Sequence, residues 1–166
     1  MHRLGIVGHR ALDPEAREFV AFACSALIAE AQRVTTVAAV SALAEGADTL
    51  FAEAALSAGA TLEVVRPYED FDGEFPTAER RRRYRALVDA ARQETRLPFG
   101  SRSTRAYEEA MRRVTDVCDI LVAAWDGTPP RGTGGTADTV RYARSIGRPV
   151  IHLDVRHSVI VRGSAG

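Results

Sequence analysis

The sequence predicts an α/β fold, a Rossmann-like three-layer α/β/α sandwich around a mostly parallel sheet of five to six strands. Short apolar, β-branched runs alternate with longer segments of helical periodicity, the pattern of a parallel sheet covered on both faces. Glycine-rich loops follow several of the short runs, and helix caps stand where the alternation needs them. At 166 residues the chain is long enough for one domain with a substantial core.

Leu4-Gly5-Ile6-Val7, ended by Gly8, is the first predicted strand. Asp13-Pro14 then supplies an N-cap with proline at the first helical position. The helix that follows carries Phe19, Val20, Ala23, Cys24, Leu27, Ile28 and Ala31 on one stripe. Val34 to Val40 is the second strand, Ser41 to Gly46 a loop, and Ala47 to Ala58 a helix with Gly59 at its C-terminus. Thr61 to Val65 is the third strand, ended by Pro67. Tyr68 to Arg102 is the least regular stretch, with a helix expected over Ala78 to Gln93. Ser103 opens a helix with Ala106, Tyr107, Ala110, Met111, Val114 and Val117 on one face. Asp119 to Trp125 is the fourth strand, a helix runs from about Gly135 to Ile146, and Val150 to Leu153 is the fifth strand. Residues 1–154 form the expected domain, and 155–166 a tail or a short edge strand. With the order 3-2-1-4-5, the first and fourth strands flank the point where strand order reverses.

All 22 basic residues are arginine, against 22 acidic ones, for a formal net charge of zero. Lysine is absent, which excludes Schiff-base and P-loop lysine chemistry. An anion site here is built from guanidinium forks, backbone amides and helix N-termini. The neutral balance argues against binding nucleic acid through a broad basic face. Cys24 and Cys118, both placed on helical stretches, read as buried free thiols. No CxxC or HExxH spacing points to a metal, and no cofactor is expected. No signal peptide or membrane span is visible, so the expected location is cytoplasmic.

Three loops fall at predicted strand C-termini, where ligands of open α/β sheets bind. The first is Gly8-His9-Arg10, with an arginine fork and a histidine able to donate or transfer a proton. The second holds Ser41, Glu45 and Asp48 near a helix start; its acids serve either the helix dipole or a ribose or base edge. The third runs through Trp125, Arg131, Gly132, Thr133, Gly134, Gly135 and Thr136. Its glycines admit close backbone approach, its threonines add hydroxyls, and its helix start turns amides toward a ligand, together an anion cradle. Trp125 reads equally as core or as a stacking platform. The arginine run from Arg80 to Arg83, with Arg85, reads as a solvated helix face, with Leu87, Val88 and Ala91 supplying the buried stripe; the alternative is that one of these arginines reaches a neighbouring phosphate, across a dimer interface.

Taken together, these loops resemble the SLOG superfamily, which joins the Lonely Guy phosphoribohydrolases, DNA-processing protein A and nucleotide-sensing domains of bacterial conflict systems. Gly5-Ile6-Val7-Gly8-His9-Arg10 looks like the opening of the sensor-type members. Ser41-Ala42-Leu43-Ala44-Glu45-Gly46-Ala47-Asp48 is similar to the Ser-Gly-x-Ala-x-Gly-x-Asp segment of DNA-processing protein A. Asp119 to Thr136 resembles the strand and glycine loop that carry phosphate contacts across the superfamily. The resemblance covers about Leu4 to Leu153. It implies a nucleotide or nucleotide-derived ligand of the AMP, NAD or ADP-ribose type, its phosphate held by Arg10, Gly134, Gly135 and Thr136 with Arg131 and His9 assisting and its sugar or base side shaped by Glu45 and Asp48, and a homodimer. In the Lonely Guy motif Pro-Gly-Gly-x-Gly-Thr-x-x-Glu the glutamate is catalytic; Thr139 stands in its place here. An N-glycosidic hydrolase would therefore need Glu45 or Asp48 as its carboxylate. Single-stranded DNA binding is a third reading, and a neutral chain fits a small ligand better.

Overall fold

The computed structural model describes residues 1–129 and 135–163. The elements are β1 (His2–Gly8), α1 (Pro14–Gln32), β2 (Val37–Ser41), α2 (Ala47–Ser57), β3 (Thr61–Arg66), a 3-10 turn (Phe71–Glu74), α3 (Ala78–Ala90), β4 (Gln93–Arg96), α4 (Thr104–Val117), β5 (Ile120–Trp125), α5 (Thr136–Ser145), β6 (Val150–Asp154) and β7 (Val159–Arg162). They build a seven-stranded sheet in the order β4-β3-β2-β1-β5-β6-β7. Every pairing is parallel except β6 with β7.

The five expected strands and their order are present. Two more lie at the edges, so the sheet exceeds the five to six strands expected. The helix expected to reach Gln93 stops at Ala90, because Ala91 turns to extended geometry and the next residues pair with β3. Gln93–Arg96 carries no apolar signature; its Glu94 is clamped by Arg66 at 2.7 Å and Arg96 at 2.8 Å. Charge of this kind suits an edge strand. In the tail, β7 is the antiparallel edge strand. β2 begins at Val37 rather than Val34, because Val34 and Thr35 still donate to the Ala31 carbonyl at the end of α1.

Side chains alternate across the sheet. Leu4, Ile6, Val37, Ala39, Leu62 and Val64 meet α1, α2 and α3 on one face. Val7, Val40 and Val65 meet α4 and α5 on the other, against Ala110, Val114, Val140 and Ala143. Both cysteines are buried and free. Cys24 lies in α1 as expected, whereas Cys118 follows α4 as its extended cap. Burial pushes Cys24 up to about 12 and Cys118 up to about 11, so neither is a reactive thiolate at neutral pH.

The C-terminal ends of β1, β2 and β5 are joined by backbone. The His9 amide donates to the Ala124 carbonyl (2.9 Å), and the Ala47 amide donates to the His9 carbonyl (3.1 Å). This closeness requires glycine at two positions. A Cβ on Gly8 would stand 2.6 Å from Ala47 Cβ and 2.7 Å from the Ala124 oxygen. A Cβ on Gly46, where φ is +85°, would stand 2.4 Å from both the His9 and Arg10 oxygens. Apart from the Ala47 methyl, which has no rotamer to move, those obstacles are main chain and cannot swing aside. Gly46→Ala is therefore expected to cost about 3 kcal/mol or more, from the left-handed backbone and the clash together. Urea unfolding should show a lower midpoint at an unchanged slope.

Candidate functional site

The chain runs outward from β1 through β2, β3 and β4, then returns to place β5 on the other side of β1. The switch point thus lies between β1 and β5, and a cleft of about 910 Å³ opens above it. That volume is in the range of small-molecule sites. Gly8, His9 and Arg10 form one wall, Trp125, Asp126 and Thr128 another, and Gly135 and Thr136 bring in the start of α5. Ser103, Thr104 and Tyr107 reach it from α4. Of the sequence-predicted residues, Arg131, Gly132, Thr133 and Gly134 lie outside the described residues.

Arg10 stands at the lip, its guanidinium 4.6 Å from the centre of the Tyr107 ring and 3.3 Å from Glu74 Oε2. Glu74 also accepts from the Tyr68 hydroxyl and lies 3.6 Å from Arg102 Nε. Tyr68 and Tyr107 approach hydroxyl to hydroxyl at 3.2 Å. Burial disfavours the Glu74 charge, but hydrogen bonds from Tyr68 and Tyr107 and the charges of Arg102 and Arg10 overcome it. Its carboxyl is held below the usual range. This network fixes the guanidinium that faces the cleft. Glu74, Tyr68 and Arg102 are absent from the sequence-predicted set, since no local motif marks them.

His9 and Asp126 face each other across the β1–β5 boundary, with His9 Nε2 3.4 Å from Asp126 Oδ1 and 3.4 Å from the Asp126 amide. Asp126 Oδ1 accepts from the Thr128 hydroxyl (2.7 Å) and amide (3.0 Å). These bonds, Thr128 first, hold the Asp126 carboxyl down at about 2 despite partial burial. It is a fixed negative charge in the cleft. Asp126-Gly127-Thr128 is an Asx-turn signature that a residue-level reading could have used. Trp125 is half-buried: its indole N–H donates to the Thr128 carbonyl (3.0 Å), and its ring packs on His152 with centres 4.4 Å apart.

The second loop separates its acids. Asp48 is 2% exposed and borders the strand-end cleft. Ser41, fully buried, accepts from the Leu43 amide (2.9 Å) and donates to Asp48 Oδ2 (3.3 Å). Burial pushes Asp48 up to about 7, against the amides of Ala44 and Ala42, the Ser41 hydroxyl and the Arg10 charge, which favour the anion. Glu45 turns the other way and pairs with Arg80 at 3.1 Å, lining a neighbouring depression rather than the cleft. Thr139 is also buried, its hydroxyl donating to the Gly135 carbonyl (3.2 Å) within α5. Asp138 pairs with Arg141 at 2.9 Å. Among the described residues no group of His, Cys, Asp and Glu could hold a metal ion, and no helix is long and apolar enough to cross a membrane.

Because the folded-state value of Asp48 lies above its unfolded value of 3.8, the folded chain holds a proton there that the unfolded chain releases. Its contribution to stability is full below pH 3.8 and declines as pH rises toward about 7. Asp48→Asn should remove that decline. The melting temperature of the wild type relative to the variant is expected to fall between pH 5 and pH 7.5; a constant difference would show the carboxylate ionised throughout.

No protein-family model matches the chain, and no curated protein does. Solved structures share its fold. DNA processing protein A from Streptococcus pneumoniae is 20% identical with a TM-score of 0.66, over 92% of this chain and 50% of that one. DNA processing protein A from Helicobacter pylori, whose structure is reported for its single-stranded DNA binding mode, is 17% identical with a TM-score of 0.64, over 91% and 64%. The Moco carrier protein of Chlamydomonas rheinhardtii is 15% identical with a TM-score of 0.55, over 91% and 74%. This chain thus spans half the length of the first protein and under two thirds of the second. What these structures share with the chain is the fold, the Rossmann-like α/β architecture that the sequence predicts.

Proposed function

We propose that the chain binds a nucleotide or nucleotide-derived ligand in the strand-end cleft without turning it over. The observation that carries this reading is the convergence of Arg10, anchored by Glu74 and Tyr107, with the first turn of α5 across the switch point. A guanidinium fork facing helix amides is a phosphate site. Asp126 and His9 lie where ribose hydroxyls would hydrogen-bond, and Trp125 offers part of its ring. The residues at the positions that could supply a glycosidic hydrolase's carboxylate support binding over turnover. Glu45 faces away and Thr139, standing where the catalytic glutamate would be, is spent on its own helix; Asp48 borders the cleft but is 2% exposed and bonded to Ser41.

Proton NMR time courses with AMP, NAD and ADP-ribose as separate samples test this. Line broadening with an unchanged ribose H1′ signal is expected. Decay of that signal with release of free base would mean hydrolysis. Arg10→Ala should weaken binding about tenfold or more, the worth of a charged hydrogen bond. The apo protein should keep its stability within about 1 kcal/mol, since the Arg10 contacts are at the surface.

A second reading, single-stranded DNA binding, is favoured by the fold shared with the Helicobacter pylori protein. It requires oligonucleotide affinity well above mononucleotide affinity, falling steeply with salt. Equal affinities would leave the small-ligand reading standing.

A further inference from the structure

Beside the strand-end cleft, across the Gly46 turn, lies a second cleft of about 510 Å³. We propose that it is a separate binding site for a phosphoryl group. Arginines from three segments converge there: Arg10 from the loop after β1, Arg17 from α1, and Arg80 and Arg83 from α3. Arg80 and Arg83 are three apart on one helix and so share a face. Leu12 and Phe75 give the cleft an apolar side.

Four arginines line this space with two acids, Glu45 and Glu79, and three of the four are paired: Arg10 with Glu74, Arg80 with Glu45 and Arg83 with Glu53. Glu74 and Glu53, which pair with Arg10 and Arg83, are not among the lining residues. Arg17 is the remainder: it is half-buried at the cleft wall, and among the described residues no carboxylate or carbonyl oxygen accepts from its side chain. A partly buried arginine without an acidic partner, in a cleft that three further arginines line, can take an oxyanion as its partner. Phosphate suits the set because its oxygens can take forks from two or more arginines at once.

This site goes beyond the nucleotide reading and stands without it. The phosphoryl group can belong to a ligand of its own or to the far end of one seated in the strand-end cleft, since Arg10 lines both spaces.

The test uses the full ¹⁵N-labelled chain and follows arginine Nε–Hε signals by NMR. The probes are inorganic pyrophosphate and ADP-ribose, with sodium chloride at matched ionic strength as the control. Saturable shifts of the Arg17 and Arg83 signals with pyrophosphate are expected. Arg17→Ala should weaken them, read at Arg83, by about tenfold, with an unchanged melting temperature. If ADP-ribose moves Arg17 together with the Trp125 indole signal at one equivalent, one ligand bridges both clefts. If pyrophosphate moves Arg17 and ADP-ribose does not, the second cleft has its own ligand. Arg17 and Arg83 signals unmoved by both probes, or moved equally by sodium chloride, would overturn the proposal. The Trp125 and Thr136 signals report the strand-end cleft independently, so failure here leaves the reading of that cleft to its own test.

Discussion

Much of the site depends on one crowded junction, where the His9 carbonyl meets the start of α2. It accepts from the Ala47 amide while Gly46 lies against it, and the His9 amide is tied to β5 at Ala124. Three strand ends are thereby held at distances that leave no room for a Cβ at Gly8 or Gly46. Close packing of backbone on backbone is stiff, because neither side has a rotamer to yield. That stiffness lets an exposed arginine and a half-exposed histidine keep fixed positions at a cleft mouth.

Electrostatics then shape what the junction holds. Around the Gly46 turn Asp48 is buried against the strand-end cleft while Glu45 turns outward, so neighbouring carboxylates meet opposite environments. Burial raises one, while the other is spent on Arg80. On the opposite wall, Asp126 is kept anionic by Thr128 and faces His9. Glu74 restrains Arg10 from beneath while Tyr107 supports it from the side. The cleft therefore presents the Arg10 guanidinium on one wall and the Asp126 carboxylate on another, with the start of α5 also lining it.

The arginine run of α3 shows how the same residue type divides its labour. Arg85 pairs with Asp72, and Arg81 donates to the Phe75 carbonyl. Arg80 and Arg83 pair with acids from the α2 region and also turn toward the second cleft. The sequence reading of this run as a solvated face holds for Arg82 and Arg85 and is incomplete for Arg80 and Arg83. Helical periodicity says which residues share a face, not which neighbouring segment that face meets.

The sequence by itself determined the α/β class and the three loops that follow strands, whereas the strand order entered it only as an assumption that the sheet then met. The class and the loops follow from local rules: apolar runs buried on two faces, caps, and glycines after strands. Edge strands β4 and β7 were less legible, because an edge needs backbone partners more than apolar side chains. Which way Glu45 and Asp48 turn was decided only by the tertiary structure, through the left-handed Gly46 backbone pressed against His9. The network of Tyr68, Glu74, Arg102 and Tyr107 around Arg10 was likewise invisible in the chain, since its members come from separate segments. Periodicity and capping act over a few residues and can be read along a chain. Burial, ion pairing and the approach of one loop to another depend on distances that exist only once the sheet has closed beneath them.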